Sequence, residues 1–423
     1  MSMHRVADRQ LQPLLAAGPS YYALVGVLVA LIGWGLYAYT RQLSEGLGVT
    51  GMNTPTYWGF YIVNFVFFVG LSAGGVFVAS LVHAFNVQAF KSVARIAELL
   101  AISCLILAAL FILLDLGKPE RFYHLFIYGR LGSPLIWDVI VIAVYLLVGL
   151  AYGYFGARAD LVRCMQALPR RRWLYRLLAL GYTDASEAAL RRDRRLLRGL
   201  AMVALPLAVT LHSVTAWILG LVKARPGWYS PLIAPLFVVS ASVSGLALVI
   251  VVVVLSKRLL RLPIGARVVP QLGTILAFLI PVLGYFLFAE LLTVTFAKEP
   301  AELHVFAEMM AGRYAIVFWV NLILGLLLPL ALLVYPKTRT EAGIAVAAAL
   351  VVLGVLAERW NIVIPSQFHR DLPYPPGSYA LTWVEYSVVV GVYALGVLVF
   401  ALLAKLFPLV ELEDGGAEPG AGD

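Results

Sequence analysis

Along the chain, apolar runs of about 20 residues alternate with short polar or aromatic connections, and the alternation repeats ten times. An α-helix needs roughly 20 residues to cross about 30 Å of hydrocarbon, whereas a barrel strand would show in-out alternation over about ten. The pattern therefore predicts helices near residues 20–40, 58–86, 93–115, 134–156, 199–222, 230–256, 266–296, 314–335, 341–364 and 379–407. Without water in the bilayer, each segment must satisfy its own backbone N–H and C=O groups, which a helix does internally. The expected fold is an all-α polytopic membrane domain over residues 20–407, between an N-terminal tail at 1–19 and a C-terminal tail at 408–423.

The second run, "YWGFYIVNFVFFVGLSAGG", sets Gly70 and Gly74 four residues apart beside Ser72 and Gly75. Small residues at that spacing let another helix backbone come close. Close packing is the ordinary consequence; space for a flat ligand beside Asn64 is the functional one. Trp58, Phe67, Ser72 and Gly75 recur 170 positions later as Trp228, Phe237, Ser242 and Gly245. Both copies enter from the same side, so residues 58–222 and 230–364 read as two parallel four-helix bundles, with the first and tenth helices peripheral.

Composition agrees with the pattern: 62% of residues are hydrophobic and 13% charged, against about 25% charged in soluble domains. Charge sets the orientation. When each Lys and Arg is assigned to its nearest connection, 22 fall on the side of the two termini and 10 on the opposite side. The bias predicts cytoplasmic termini in a cytoplasmic-membrane protein. Much of it lies in residues 157–198, where "RRRWLYR" and "RRDRRLLR" read as a basic loop anchored on anionic lipid and not as a nucleic-acid site. The net charge of +9 thus concerns the membrane. Residues 1–19 lack the short apolar core and cleavage site of a removable signal, and the acidic, Gly-rich "EDGGAEPGAGD" reads as disordered. Cys104 and Cys164 are too few for an iron–sulfur cluster and suggest no disulfide.

Ionisable residues within the bilayer are costly, so each is a candidate for function. In the predicted orientation Asp115, Asp138, Glu290, Glu358 and Glu385 lie within about two turns of the outer surface, His212 near the middle, and His83, Arg95 and Glu98 toward the cytoplasm. The outer connections, among them "DLGKPERFYHLFIYGRLGSP", "KARPGWYS" and "ERWNIVIPSQFHRDLPYPPGS", are dense in Pro, Gly and aromatic residues. Rigid turns of this kind suit a docked protein, with Lys118, Arg121, Arg225, Trp228 and His369 as docking candidates; taken singly, Trp228, Tyr229, Trp360 and Tyr374 also fit an interfacial aromatic belt.

Three chemistries compete for these groups. A bis-histidine haem would have only His83 and His212 inside spans, at depths differing by about 10 Å. A solute or ion transporter would place broken helices at mid-membrane, and the acids gather near one face instead. A nucleotide-driven pump would need a phosphate-binding loop of the G-x-x-x-x-G-K-[ST] type, which is absent from the sequence. A quinone fits better: it is flat and apolar, arrives through lipid, and needs hydrogen-bonding groups with a route for protons. Asn64, Trp137, Asp138 and His212 are the expected head-group residues. His83, Glu98, Asp138 and Glu290 are the candidate proton-transfer residues, although Glu98 paired with Arg95 along one helix turn is a simpler structural role.

The blocks "YWGFYIVNFVFFVGLSAGG", "DLGKPERFYHL…GSPLIWD", "HSVTAWILGLVKARPGW…FVVSASVSG", "GYFLFAELLT" and "ERWNIVIPS…TWVEY" together resemble the NrfD/PsrC family of polysulfide-reductase-like membrane subunits, in its ten-helix form, over residues 20–407. The resemblance implies a haem-free, metal-free subunit of a respiratory oxidoreductase that meets menaquinone or another quinone near the outer face. It further implies an iron–sulfur, ferredoxin-like partner, with a molybdopterin catalytic subunit or a subunit of the cytochrome c type beyond it. Such a chain would not be active alone.

Overall fold

The computed structural model describes residues 14–15, 18–369 and 377–412; most of the N-terminal tail, Tyr374 and the acidic end of the C-terminal tail lie outside the described residues. Ten helices long and apolar enough to cross a membrane are present. They are α1 (Pro19–Glu45), α2 (Phe60–His83), α3 (Lys91–Asp115), α4 (Pro134–Ala167), α5 (Glu187–Gly220), α6 (Ile233–Leu260), α7 (Val268–Ala297), α8 (Ala315–Val334), α9 (Glu341–Val363) and α10 (Trp383–Leu406). The protein is an all-α integral membrane protein, and the described residues contain no strand.

The chain passes back and forth, so one end of the bundle carries residues 46–59, 116–133, 221–232, 298–314, 364–369 and 377–382, and the other carries 84–90, 168–186, 261–267 and 335–340. These are called the aromatic end and the basic end below. Helix α2 is the most buried, with 83% of its apolar window inside the protein. It packs against α3, α5, α6 and α9, while α1 pairs with α10.

The small residues explain why α2 and α6 lie so close. A methyl added at Gly74 would fall 2.2 Å from the Gly245 carbonyl oxygen, so the two backbones touch where no side chain fits. At the aromatic end the same two segments bring Trp58 and Trp228 into a stack with ring centroids 5.3 Å apart and planes 21° from parallel. Helices α1 and α10 cross in a like manner, a methyl on Gly35 meeting Gly391 Cα at 2.9 Å, and Trp34 Nε1 donates to Ser387 Oγ at 2.7 Å nearby.

The expected basic loop at 157–198 is largely helix. Helix α4 runs on to Ala167 and α5 starts at Glu187, leaving 168–186 to hold the short helix Arg172–Leu178. The physical reason is a buried pair: Arg158 Nε donates to Asp193 Oδ2 at 2.9 Å. The Arg158 guanidinium also lies 4.1 Å from the Tyr182 ring centroid, so the two helical extensions have a core of their own. Two further pieces escaped the hydropathy pattern. Helix Pro300–Ala311 follows α7 at the aromatic end, and residues Val320–Leu327 of α8 are wound as π-helix.

Candidate functional site

Asp138 lies one turn into α4, is 2% exposed, and accepts a 2.6 Å hydrogen bond from Thr215 Oγ1 of α5. His212 sits one turn before Thr215 and is 3% exposed. Its Nδ1 is 2.6 Å from the Ala208 carbonyl oxygen, a contact that requires the proton on Nδ1. Nε2 is then an acceptor, and it has no partner. A buried acid bonded to Thr215 and an imidazole one turn away on the same helix thus lie on the facing helices α4 and α5.

The other two expected head-group residues are placed elsewhere. Asn64 is fully buried, but its Nδ2 donates to Phe60 O at 2.7 Å and its Oδ1 accepts from Tyr393 Oη at 2.7 Å, so α10 occupies it. Trp137 turns outward with 37% exposure, and its indole donates to Leu131 O. The four residues do not line one space. The reason is helical geometry: Trp137 and Asp138 are about 100° apart on one helix, so only one of them can face the bundle.

An open space lies on the other half of the bundle. A cleft of about 340 Å³ is enclosed by α6, α7, α8, α9 and the Pro300–Ala311 helix. Leu287, Leu291, Leu322 and Phe306 give it apolar walls, and Glu290, Glu302, Asn321, Glu358 and Asn361 supply polar atoms. Ser230 Oγ donates to Glu290 Oε2 at 2.8 Å, and Ser240 Oγ donates to Glu358 Oε2 at 2.6 Å. Asn321 Nδ2 donates to Gly354 O at 2.9 Å. Glu358 Oε1 and Asn361 Oδ1 are buried without a hydrogen-bond partner. Behind Glu358, Arg359 is 1% exposed, with Nη1 3.6 Å from Glu358 Oε1 and its guanidinium 4.3 Å from the Phe237 ring centroid. Outside the membrane-spanning helices, burial together with the neighbouring Glu299 and Glu290 pushes the Glu302 carboxyl above its ordinary range.

At the basic end, Arg95 Nε is 3.5 Å from Glu98 Oε2, the i,i+3 pairing expected along one turn, and Arg95 Nη2 is 3.5 Å from Asp160 Oδ2. The His83 ring meets Tyr152 edge-on at 5.5 Å. Ser80, Glu98 and Tyr152 line one narrow crevice, and each keeps a buried polar atom without a hydrogen bond, that of Glu98 having only its ion pair with Arg95. His83 and Glu98 are therefore neighbours of one cluster, which is separate from Asp138 and from Glu290.

The docking candidates divide as well. Lys118 and Arg121 are exposed and share a surface depression of about 490 Å³ with His124 and Arg130. His369 faces His304 with ring centroids 6.0 Å apart. Trp228 is buried at 3% and its indole donates to Ile362 O at 2.6 Å, so it serves the interior and not a docking surface. Arg225 reaches Pro55 O at 2.9 Å and Gln367 O at 3.2 Å. The turn from Lys223 to Trp228 thus fastens α5 to α9 and to the segment before α2. Glu385 also has a structural role: it accepts from Gly51 N at 2.7 Å and Tyr379 Oη at 2.6 Å and closes a capping box with Thr382 on α10. Burial and then this carboxylate hold Tyr379 above the ordinary phenol range.

Ten apolar helices with buried acids, an imidazole and amides at one end define an integral membrane protein with polar chemistry inside its bundle. A family model described as polysulphide reductase, NrfD, matches residues 48–369, and the chain belongs to that family. It is 35% identical over 406 residues to a putative dimethyl sulfoxide reductase membrane subunit of Halobacterium salinarum, covering 91% of each chain. It is 29% identical to a selenate reductase subunit of Mesobacillus selenatarsenatis, covering 92% of each. It is also 29% identical to an Hdr-like menaquinol oxidoreductase integral membrane subunit of Archaeoglobus fulgidus, covering 92% of this chain and 94% of the relative.

The residues that sequence reasoning passed over are Asn321 and Asn361, because within the second half of the chain only ionisable groups were weighed inside the spans. An uncharged amide in an apolar window is a readable signal too, since it needs partners that lipid does not give.

Proposed function

We propose that the chain is the quinone-reactive membrane subunit of a respiratory oxidoreductase complex, exchanging electrons between menaquinol and an iron–sulfur partner. The names of its relatives support this reading, two of them being subunits of reductases and one a menaquinol oxidoreductase subunit. The complex lies in the cytoplasmic membrane with both termini cytoplasmic, a reading that the Lys and Arg bias supports. The aromatic end then faces outward, and Lys118, Arg121 and His369 meet the ferredoxin-like partner there. A molybdopterin subunit further out carries the terminal reaction.

The observation that carries the proposal is the buried Asp138, Thr215 and His212 group. Oxidising a hydroquinone to a quinone releases two electrons and two protons; the electrons pass to the partner's clusters, and the protons need acceptors. His212 Nε2 is an acceptor without a hydrogen-bond partner about two turns from the aromatic end of α5, and Asp138, bonded to Thr215 one turn on, is the second candidate acceptor. Replacing His212 with Leu lowers quinol turnover without removing the subunit from the membrane; normal turnover in His212→Leu would overturn the role. Quinone extraction and an absorption spectrum of the purified complex test the class itself, since a haem anchor would show a Soret band and a transporter would hold no stoichiometric quinone.

Proton translocation is a second element of the proposal, favoured by one observation at the basic end. Ser80, Glu98 and Tyr152 line one crevice, and Ser80 Oγ and Tyr152 Oη are buried without a hydrogen-bond partner, groups that water would complete. Vesicles carrying the complex develop a membrane potential during turnover on this reading. Turnover without a potential contradicts it.

A further inference from the structure

We propose that the cleft between α6, α7, α8 and α9 is the binding site for the reduced, hydroxyl-bearing form of the lipid-soluble carrier. This rests on the quinone-reactive reading above and adds a place and a redox preference to it. Four observations converge on the cleft.

Its size of about 340 Å³ falls within the roughly 300–1,000 Å³ of small-molecule sites, and its walls are mostly apolar, as those sites are. Two side chains that line it, Glu358 at 1% and Asn361 at 7% exposure, each keep an oxygen without a partner. An orphaned polar atom in so buried a place is costly unless a ligand or water completes it. Both orphans are oxygens, so what completes them must donate. A hydroquinone has two O–H donors; the oxidised quinone has only carbonyl acceptors.

Ser240 already satisfies Glu358 Oε2, while Oε1 has only the Arg359 guanidinium at 3.6 Å, beyond hydrogen-bond length, so it stays open to a donor. Helix α8 lines the cleft with a π-wound stretch, Val320–Leu327, a distortion that often accompanies binding sites inside helices. The rim is open to lipid, where Phe288 is 60% exposed. A carrier diffusing in the bilayer therefore reaches the cleft sideways, about two turns from the aromatic end of α7.

The site is separate from Asp138 and His212, which lie on α4 and α5. Helix α9, which carries Glu358, and α5, which carries His212, both pack against α2 and α6. Carrier binding and proton acceptance would thus occupy adjoining parts of the bundle.

The test uses the membrane-embedded complex and a naphthoquinone with a diazirine on its tail, added reduced or oxidised, photolysed, and mapped by peptide mass spectrometry. The expected result is labelling of peptides from 284–294 and 302–309 by the reduced probe, with competition by menaquinol. Gly284 lines the cleft and a Cβ added there meets nothing within 4 Å, so Gly284→Phe puts a ring into the cleft and should abolish the label. Gly33→Phe, on α1 and equally unobstructed, should not change it. Asn361→Leu removes one acceptor and should weaken labelling by about tenfold.

Competable label confined to 134–140 and 208–216 would overturn the cleft while leaving the quinone reading intact. No competable label anywhere would overturn both. Label in the cleft that phospholipid displaces and menaquinol does not would make it a lipid site, and equal labelling by the oxidised probe would refute the redox preference.

Discussion

Replacing Gly74 with Ala probes the contact on which the two halves of the bundle meet. The new methyl would lie 2.2 Å from the Gly245 carbonyl oxygen and 2.3 Å from its carbon. Ordinary contact begins near 3.5 Å, so α2 and α6 must part by roughly 1.3 Å. The obstacle is backbone, which has no rotamer to give way. Overpacking of this kind costs about 1–3 kcal/mol, and the better helix propensity of Ala returns about 1 kcal/mol. The net loss is about 2 kcal/mol at the upper end, or roughly 4–8 °C at the 2–4 °C per kcal/mol typical of large domains. Cys104 and Cys164, 3% and 0% exposed, report unfolding directly through a thiol-reactive dye in detergent. Gly26→Ala is the reference, because nothing stands within 4 Å of its added Cβ. Should Gly74→Ala melt at or above Gly26→Ala, the close approach of α2 and α6 is wrong.

Arg158→Ala leaves Asp193 buried and unpaired, at a cost of roughly 3–5 kcal/mol, whereas Arg191→Ala removes only an exposed partner of Glu187 and changes stability by less than about 1 kcal/mol. Comparing the two melting curves checks the ordering. Gln367→Leu frees the backbone N–H groups of Tyr57 and Trp58, which its Oε1 accepts at 3.0 Å each. Hydrogen exchange at those two amides should then quicken by about tenfold, as expected for roughly 1.4 kcal/mol of lost protection. Glu302 has a raised pKa, so its contribution favours the fold at acidic pH and is lost as pH rises through the folded-state value. Glu302→Gln therefore raises the melting temperature in alkaline buffer and leaves it unchanged in acid; an equal effect at both would refute the assignment.

The ten helices were legible because hydropathy sets spans, and their boundaries were less so because packing carries helices beyond the membrane. Helices α4 and α5 extend well past their apolar windows to join Arg158 with Asp193, a contact that no window of hydropathy contains. Asp138 and His212 were readable as intramembrane ionisable groups, and the structure buries both, with Asp138 bonded to Thr215 one turn from His212. Asn64 was readable as polar and central, yet its partner Tyr393 lies 329 positions away. Glu385 was weighed as a membrane acid although "TWVE" carries the spacing of a capping box, and that local rule proved the stronger. The cleft had no signature in the sequence, since it arises from five helices and a π-wound segment that only the assembled bundle brings together.

The central claim is that this chain passes electrons between the quinone pool and iron–sulfur clusters. It is tested most directly by mixing menaquinol with the purified complex and following the partner's clusters by electron paramagnetic resonance, with and without this subunit. The account predicts that cluster signals change within turnover time only when the chain is present, and that Gly284→Phe suppresses the change. Equal responses in preparations lacking the chain, or none in the intact complex with either menaquinol or menaquinone, would contradict it.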